Sequence, residues 1–274
     1  MLDAGGFNEV RRCRSGPMLY NKFDVYIGGS LQKYGEFSWG EQALFRRIVR
    51  PGQLVVEVGA NIGAHTVDLA KATGPRGRVF AFEPQRLVFQ ALCANLALNQ
   101  CVNVFAHQVA LGATEGSLLV PALDPSARNN FGGLWLQGKK EGKTVQHGQG
   151  ESVPLRNLDS FALPACDFLK ADVEGMEVEV LRGAQETIRK CRPVMYLEND
   201  RADRSAELID LAMGLGYDLY WHTPPLFNPE NFAREKENIF PGIVSINLLC
   251  VPSESEWIVN GFRRVTSPQD SWKG

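Results

Sequence analysis

The stretch VVEVGANIGAHT, residues 55–66, combines residue types at a spacing that suits ligand chemistry. A run of β-branched residues leads to Glu57, and Gly59 and Gly63 follow, with Asn61 between them. Glycine allows a tight turn and lets the backbone approach a ligand closely. In doubly wound α/β sheets, the first strand–turn–helix is the usual binding place. The sequence therefore predicts a ligand site here, for a ligand that tolerates a neighbouring carboxylate.

A dinucleotide site is the first alternative for this turn. Its fingerprint is G-x-G-x-x-G, with the pyrophosphate at the helix N-terminus. This chain has E-x-G-x-x-x-G instead, with Asn61 in place of the middle glycine. A pyrophosphate about 4–6 Å from Glu57 would cost about 1–4 kcal/mol in like-charge repulsion. The lysine of a phosphate-binding loop is also missing. The pattern thus disfavours both NAD and a P-loop nucleotide.

A ligand with a cationic head removes this conflict, and S-adenosyl-L-methionine is such a ligand. Glu57 is expected to pair with its ammonium, directly or through water, and Glu83 at the end of the next strand with both ribose hydroxyls. Gln108, Val109 and Ala110 follow the third strand and are expected at the adenine edge. The ligand's parts and the strand ends then occur in the same order.

Short apolar runs alternate with helical patterns after residue 53, which indicates βαβ units and a parallel sheet. The predicted strands are 54–58, 78–82, 103–107, 167–172, 193–199, 217–222 and 244–251. The predicted helices between them are 63–73, 86–99, 176–190 and 201–216.

The pattern divides the chain into a core and flanking segments. We expect an N-terminal extension at 1–53, a binding domain at 54–252 with an exposed insertion at 124–150, and a tail at 253–274. Within the extension, 1–20 suggests a loose lead-in, 23–39 short strands or a hairpin, and 40–49 a helix. The extension packs on the core in this interpretation, and Tyr34 is a candidate to cover the cofactor.

Composition limits the class of protein. The chain has 274 residues, a formal net charge of −2 and 44% hydrophobic residues, as in an ordinary globular protein. This charge calls for neither nucleic acid nor an anionic membrane. No apolar run approaches the roughly 20 residues that span a bilayer, and the N-terminus lacks the apolar core of a signal peptide. We expect a cytoplasmic protein without a membrane span.

Four segments resemble the FkbM family of S-adenosylmethionine-dependent methyltransferases: YGEFSWGEQALFRRIVRPGQLVVEVGANIGAHT, FAFEPQ, VALGATEG and LKADVEGMEVEVLRGA. The similarity runs from about residue 24 to 251, and the last segment is the most specific. It implies the class I methyltransferase fold, a Rossmann-like, doubly wound sheet of seven strands with the last strand antiparallel. The family mostly methylates hydroxyl groups of sugars, polyketides and other secondary metabolites. Its cofactor positions correspond to Glu57, Gly59, Gly63, Glu83 and 108–110, and the enlarged insertion at 124–150 leaves the size of the acceptor open.

Methyl transfer to a hydroxyl needs a group that takes up its proton. Asp172 and Glu174 lie at the end of the fourth strand, beside the cofactor's methionine end in this fold, and Asp172 could instead contact the ammonium. Glu198 ends the fifth strand, and His222 ends the sixth. Glu174 alternatively caps the following helix, and His222 alternatively braces the proline-rich segment after it, residues 223–243. The clustered acids could hold a divalent cation, but no metal ligand is assigned.

Several functions fit this pattern. The favoured one is an O-methyltransferase for a small-molecule or glycan hydroxyl. The alternatives are an N-methyltransferase for a small-molecule amine and a cofactor-binding scaffold without catalysis. The sequence names neither the acceptor nor the oligomeric state.

Overall fold

The computed structural model of the protein describes residues 2–3, 6–133 and 150–273. The strands are β1 (Leu2–Asp3), β2 (Asn8–Cys13), β3 (Gly16–Asn21), β4 (Leu54–Val58), β5 (Arg78–Phe82), β6 (Val104–His107), β7 (Ala110–Leu111), β8 (Gly116–Pro121), β9 (Gly150–Arg156), β10 (Phe168–Ala171), β11 (Val194–Glu198), β12 (Tyr217–His222), β13 (Asn247–Pro252) and β14 (Arg263–Arg264). The helices are α1 (Ile27–Tyr34), α2 (Trp39–Ile48), α3 (Thr66–Thr73), α4 (Arg86–Leu98), α5 (Glu177–Arg182), α6 (Gln185–Cys191) and α7 (Ala202–Gly214).

The central sheet has the order β14-β12-β13-β11-β10-β4-β5-β6. Strands β6, β5, β4, β10 and β11 are parallel, and β13 runs antiparallel between β11 and β12. The seven predicted strands and the antiparallel last strand are therefore confirmed. The predicted tail adds the short edge strand β14, which pairs with β12. Strand order reverses between β4 and β10, so ligands are expected at the carboxyl ends of these two strands.

Strand β4 shows why the sheet forms where it does. All five residues of LVVEV are buried, as in a parallel strand with helices on both faces. Val55 packs in the hydrophobic cluster that contains residues of α2, α3 and α4, while Val56 packs in the cluster of α5, α6 and α7. Successive side chains of the strand thus pack into two separate hydrophobic cores, one on each face of the sheet. None of the described helices has the length and apolar character needed to cross a membrane.

The N-terminal extension differs from the prediction. Residues 8–21 form the β2–β3 hairpin instead of a loose lead-in, and α1 replaces the short strands expected within 23–39. Asp24 accepts hydrogen bonds from the backbone N–H of Gly28, at 2.9 Å, and of Tyr26, at 3.3 Å, at the start of α1. A Cβ at Gly28 would lie 2.2 Å from the carbonyl oxygen of Asn21. The glycine that looked like a strand break therefore allows a helix to pack tightly against the hairpin.

Two further predictions change in detail. The single helix expected at 176–190 is split into α5 and α6 around Gly183, where a Cβ would lie 2.0 Å from the carbonyl oxygen of Gly112. The predicted insertion is described only up to residue 133 and from residue 150; residues 134–149 lie outside the described part. Its first part is packed and not detached, since the backbone of Asn129 bridges to Asp24 and Phe131 is buried.

Candidate active site

A cavity of about 330 Å³ opens at the carboxyl ends of β4, β5, β10 and β11. The glycine turn after β4 lines it, together with the residues that follow β5, β10 and β11. The wall is completed by residues of the N-terminal extension and by residues 243–247, which lead into β13. Of the predicted cofactor residues, Gly59, Asn61, Glu83 and Asp172 line this one cavity.

The glycine turn takes its shape from two close approaches. Gly59 has φ +78°, and a Cβ there would lie 1.8 Å from the carbonyl oxygen of Asp172. Gly63 has φ +84°, and its Cβ would lie 2.7 Å from Leu92. Between them Asn61 has φ +50°, in the left-handed region that asparagine tolerates. Any larger side chain at Gly59 would push the β4 turn away from the β10 turn.

Glu83 lines the cavity directly after β5. Its side chain is buried, and its two oxygens accept hydrogen bonds from the backbone N–H of Asn61, at 3.0 Å, and of Gln85, at 2.8 Å. Burial raises the pKa of Glu83 to about 7. Each carboxylate oxygen has one backbone donor and can accept a further hydrogen bond. The arrangement suits a ligand with two neighbouring hydroxyl groups.

Glu57 lies behind the cavity and is not among the residues that line it. It is fully buried in β4, and its Oε2 accepts a hydrogen bond from the Thr66 hydroxyl at 2.6 Å. Burial raises the pKa of its carboxyl group. Its pairing with a ligand ammonium stays a prediction, and from this position the contact would have to be indirect.

Charged residues that the sequence analysis did not single out form the floor of the cavity. Lys170 of β10 is 1% exposed, and its Nζ lies 3.0 Å from Oδ2 of Asp172. Burial would lower the pKa of Lys170, but the surrounding carboxylates outweigh burial and raise it. A lone lysine inside the apolar strand FLKA was the available signal, because lysine is rarely buried without a partner.

Glu41 of α2 reaches the same floor. Its Oε2 lies 3.0 Å from Nε2 of His65, and its Oε1 accepts a hydrogen bond from Nδ2 of Asn247 at 3.0 Å. Burial tends to raise the pKa of Glu41, but the contact with His65 and the charge of Lys170 lower it to about 2. Nothing in the sequence of α2 distinguishes this acid, because only the tertiary packing turns it inward.

Three predicted acids meet at the cavity. One ligating oxygen each of Asp172, Glu174 and Glu198 lies within 4.8 Å of the others. Burial and the charge of Asp172 raise the pKa of Glu174 to about 8, and the same two causes raise the pKa of Glu198 well above its usual value. Glu174 also forms an ion pair with Arg201.

This acid cluster has the oxygen donors that hard divalent cations prefer. Lys170 and Arg201 already pair with Asp172 and Glu174, respectively, so two of the three charges are balanced by the protein itself.

Two predicted residues lie elsewhere. His222 does not line the cavity; its Nδ1 is 2.8 Å from the Tyr196 hydroxyl, and burial lowers its pKa. His222 therefore contacts β11 away from the cavity lining, and its role as a base stays a prediction. Tyr34 is 1% exposed and packs with Leu226 and Phe240. Its hydroxyl bonds to the backbone of the proline-rich segment, so Tyr34 anchors that segment and does not cover the cavity.

The residues predicted at the adenine edge are also absent from the cavity wall. Ala110 belongs to β7, which pairs with β9 in a separate small sheet, and Val109 packs against the hydrophobic core. Gln108 does not line the cavity either. Their contact with an adenine ring stays a prediction.

The fold and the site define the class of protein. The sheet order, the antiparallel β13 and the glycine turn at the reversal of strand order are those of a class I methyltransferase. The family described as the methyltransferase FkbM domain matches residues 57–219, so the chain belongs to this family. Glu41 and Asn247 of the cavity lie outside the matched range.

Curated relatives are similar over part of their length. The chain is 29% identical to "Methyltransferase 1" of Beauveria bassiana, over 48% of this chain and 58% of the relative. It is 28% identical to the hexuronic acid methyltransferase AglP of Haloferax volcanii, over 55% of this chain and 59% of the relative. It is 29% identical to the 31-O-demethyl-FK506 methyltransferase FkbM of Streptomyces tacrolimicus, over 65% of this chain and 78% of the relative. The chain thus spans less than two thirds of the first two.

Proposed function

We propose that this protein is an S-adenosylmethionine-dependent methyltransferase that acts on a hydroxyl group of a sugar, glycan or secondary metabolite. One observation carries the proposal: a single cavity combines the glycine turn, Glu83 and the acid cluster. Membership of the FkbM methyltransferase family supports it. Two relatives are named for a hexuronic acid and for a demethylated FK506, which favours a hydroxylated acceptor here.

The residues present fit the cofactor. Glu83 can accept hydrogen bonds from both ribose hydroxyls, and the turn at Gly59 lets the backbone lie against the ligand. The acids near Lys170 suit the cofactor's positive charges. When bound, S-adenosylmethionine supplies a methyl group on a positively charged sulfur.

The acid cluster supplies the proton acceptor. A general base works best when its pKa is near the operating pH. Burial and the charge of Asp172 raise the pKa of Glu174 to about 8 and raise the pKa of Glu198 well above its usual value, whereas Asp172 is engaged by Lys170. Because Glu174 is paired with Arg201, Glu198 is the favoured base; its Oε2 is buried and has no hydrogen-bond partner among the described residues.

The cavity also offers an apolar surface for the body of an acceptor. Ile27 and Phe37 come from the extension, while Leu226 and Ile243 come from the proline-rich segment. An acceptor with a hydroxyl beside an apolar or ring-shaped body fits this wall.

The direct test is a screen of hydroxylated acceptors, sugar acids and polyketide alcohols included, with detection of S-adenosylhomocysteine release. Activity of the wild type is expected to fall by about 100-fold or more in Glu198→Gln, because general bases contribute about 10²–10⁴-fold. S-adenosylhomocysteine affinity should stay within about twofold. An exposed control acid, Glu115→Gln, should leave both unchanged.

Other outcomes would select the alternatives. Turnover only with amine acceptors would indicate an N-methyltransferase. Tight cofactor binding without turnover of any acceptor would favour a scaffold. Binding of NAD in preference to S-adenosylhomocysteine in calorimetry would overturn the proposal.

A further inference from the structure

Lys170 is a buried ammonium with unused hydrogen-bonding capacity. It is 1% exposed, yet it belongs to the residues that line the cavity. An ammonium has three N–H donors. In the described part of the chain its Nζ makes one hydrogen bond, to Asp172 at 3.0 Å. Buried donors are rarely left without partners, so a ligand group is expected to use the others.

A purely structural role would not explain this position. Glu57 and Glu41 also stabilise the charge of Lys170, but through the electrostatic field and not through hydrogen bonds. The hydrogen bond of Glu57 goes to Thr66, and the contacts of Glu41 go to His65 and Asn247. A lysine that served only as their counter-ion would be expected to direct its donors to them.

Charge complementarity identifies the ligand group. Lys170 and Asp172 place one positive and one negative group side by side in the cavity, with Asp172 the more exposed, at 36% of its side chain. The tail of S-adenosylmethionine is an α-amino acid, which carries a carboxylate and an ammonium on one carbon. The two pairs of charges are complementary.

Resting on the proposed function, we propose that Lys170 binds the α-carboxylate of the cofactor's amino-acid tail while Asp172 faces its ammonium. Glu57, behind the cavity wall, then acts on the tail only through Lys170. This gives the tail a different contact from the one that the glycine-turn sequence predicts.

The test is a double-mutant-style cycle in which calorimetry measures the affinity of two ligands for the wild type and for Lys170→Met. S-adenosylhomocysteine is compared with its decarboxylated analogue, which keeps the ammonium and lacks the carboxylate. The wild type should bind S-adenosylhomocysteine at least about tenfold more tightly, the strength of a charged hydrogen bond. In Lys170→Met the two ligands should bind within about twofold of each other. The control Lys71→Met changes a lysine outside the cavity, whose Nζ bonds to the Ser15 carbonyl, and should keep the tenfold preference.

5′-Methylthioadenosine, which lacks the tail, separates the two proposals. Its affinity should be equal in the wild type and in Lys170→Met. If the wild type binds S-adenosylhomocysteine but does not distinguish the decarboxylated analogue, the role of Lys170 is wrong and the proposed function stands. A preference that persists in Lys170→Met also overturns it. If the wild type binds none of the three ligands, the proposed function fails first. Should Lys170→Met not fold, Lys170→Gln replaces it, and the wild-type comparison alone can still contradict the inference.

Discussion

At the scale of residues, the partners of the buried cavity acids decide whether the pKa of each is raised or lowered. Glu83 has only backbone donors as partners, and burial raises its pKa to about 7. Glu41 is equally deep, but His65 and Lys170 lower its pKa to about 2. The same residue type is thus half ionised near neutrality in one place and fully ionised in the other. Because Glu83 titrates near neutral pH, its predicted contact with a ribose can be tested by measuring ligand affinity at different pH values.

We expect the affinity for 5′-methylthioadenosine to rise with pH through the pKa of Glu83. The ionised carboxylate is the form that accepts hydrogen bonds from both hydroxyls with its two oxygens. Because the pKa is raised, only about one tenth of Glu83 is ionised at pH 6, so binding should be about tenfold weaker at pH 6 than at pH 8. Calorimetry at the two pH values measures this. The ligand has no amino-acid tail, so the titration of a tail does not interfere.

The matched variant is Glu83→Gln, which should bind more weakly and without this pH dependence. Equal slopes in the wild type and the variant would contradict the assignment of Glu83 to the ribose.

At the scale of elements, the proline-rich segment is held by the N-terminal extension. The buried Glu36 accepts hydrogen bonds from Nε of Arg14 at 2.6 Å, from Nδ2 of Asn228 at 2.8 Å and from the backbone N–H of Phe232 at 2.8 Å. Tyr34 adds contacts to the backbone at Glu237 and Ile239. The segment lacks helices, yet it is fixed in place, so its cavity-lining residues form a ready-made wall.

Replacing residues 223–243 with another sequence, while keeping Asn228 and Phe232 for the Glu36 contacts, is expected to change acceptor preference. Leu226 and Ile243 of this segment line the cavity, whereas Glu83 and Lys170 lie on other elements. The ratio of kcat/KM between two acceptors found in the screen should shift by about tenfold or more, as for altered contacts in an apolar pocket. S-adenosylhomocysteine affinity should stay within about twofold. A graft that weakens cofactor binding and preserves acceptor preference would contradict this division.

At the scale of the whole molecule, the extension is part of the core. Phe45 of α2 is 3% exposed, and its ring centroid lies 5.3 Å from that of Phe168 and 4.9 Å from that of Tyr196. Helix α2 therefore covers β10 and β11 and also carries Glu41 to the cavity floor. Stability and site geometry depend on the same helix.

Phe45→Ala should lower the free energy of unfolding by about 3–5 kcal/mol, the usual cost of a buried phenylalanine cavity. Phe105→Ala changes a ring that is 46% exposed on the edge strand β6 and should cost less than about 1 kcal/mol. Urea unfolding of both variants measures the difference. Equal costs would mean that α2 is not integrated into the core.

Much of this architecture follows from local patterns. The strands 54–58, 78–82 and 217–222 have the predicted bounds, because each is a short run rich in β-branched or aromatic residues. Helix α1 was not predicted, because Gly28 suggests a strand break unless the hairpin that packs against it is known. Periodicity reports one element at a time and does not show what lies against it.

The sequence alone determined the parallel sheet, the glycine turn and the acids at the strand ends, since these depend on short-range spacing and on the rule that parallel strands end at one edge. The tertiary structure decided which polar residues share the cavity. His222 and Tyr34 do not line the cavity, whereas Lys170 and Glu41 do. The physical reason is that a side chain's pKa and partners depend on groups that are distant in the chain: Glu41 and Asn247 meet across 206 positions.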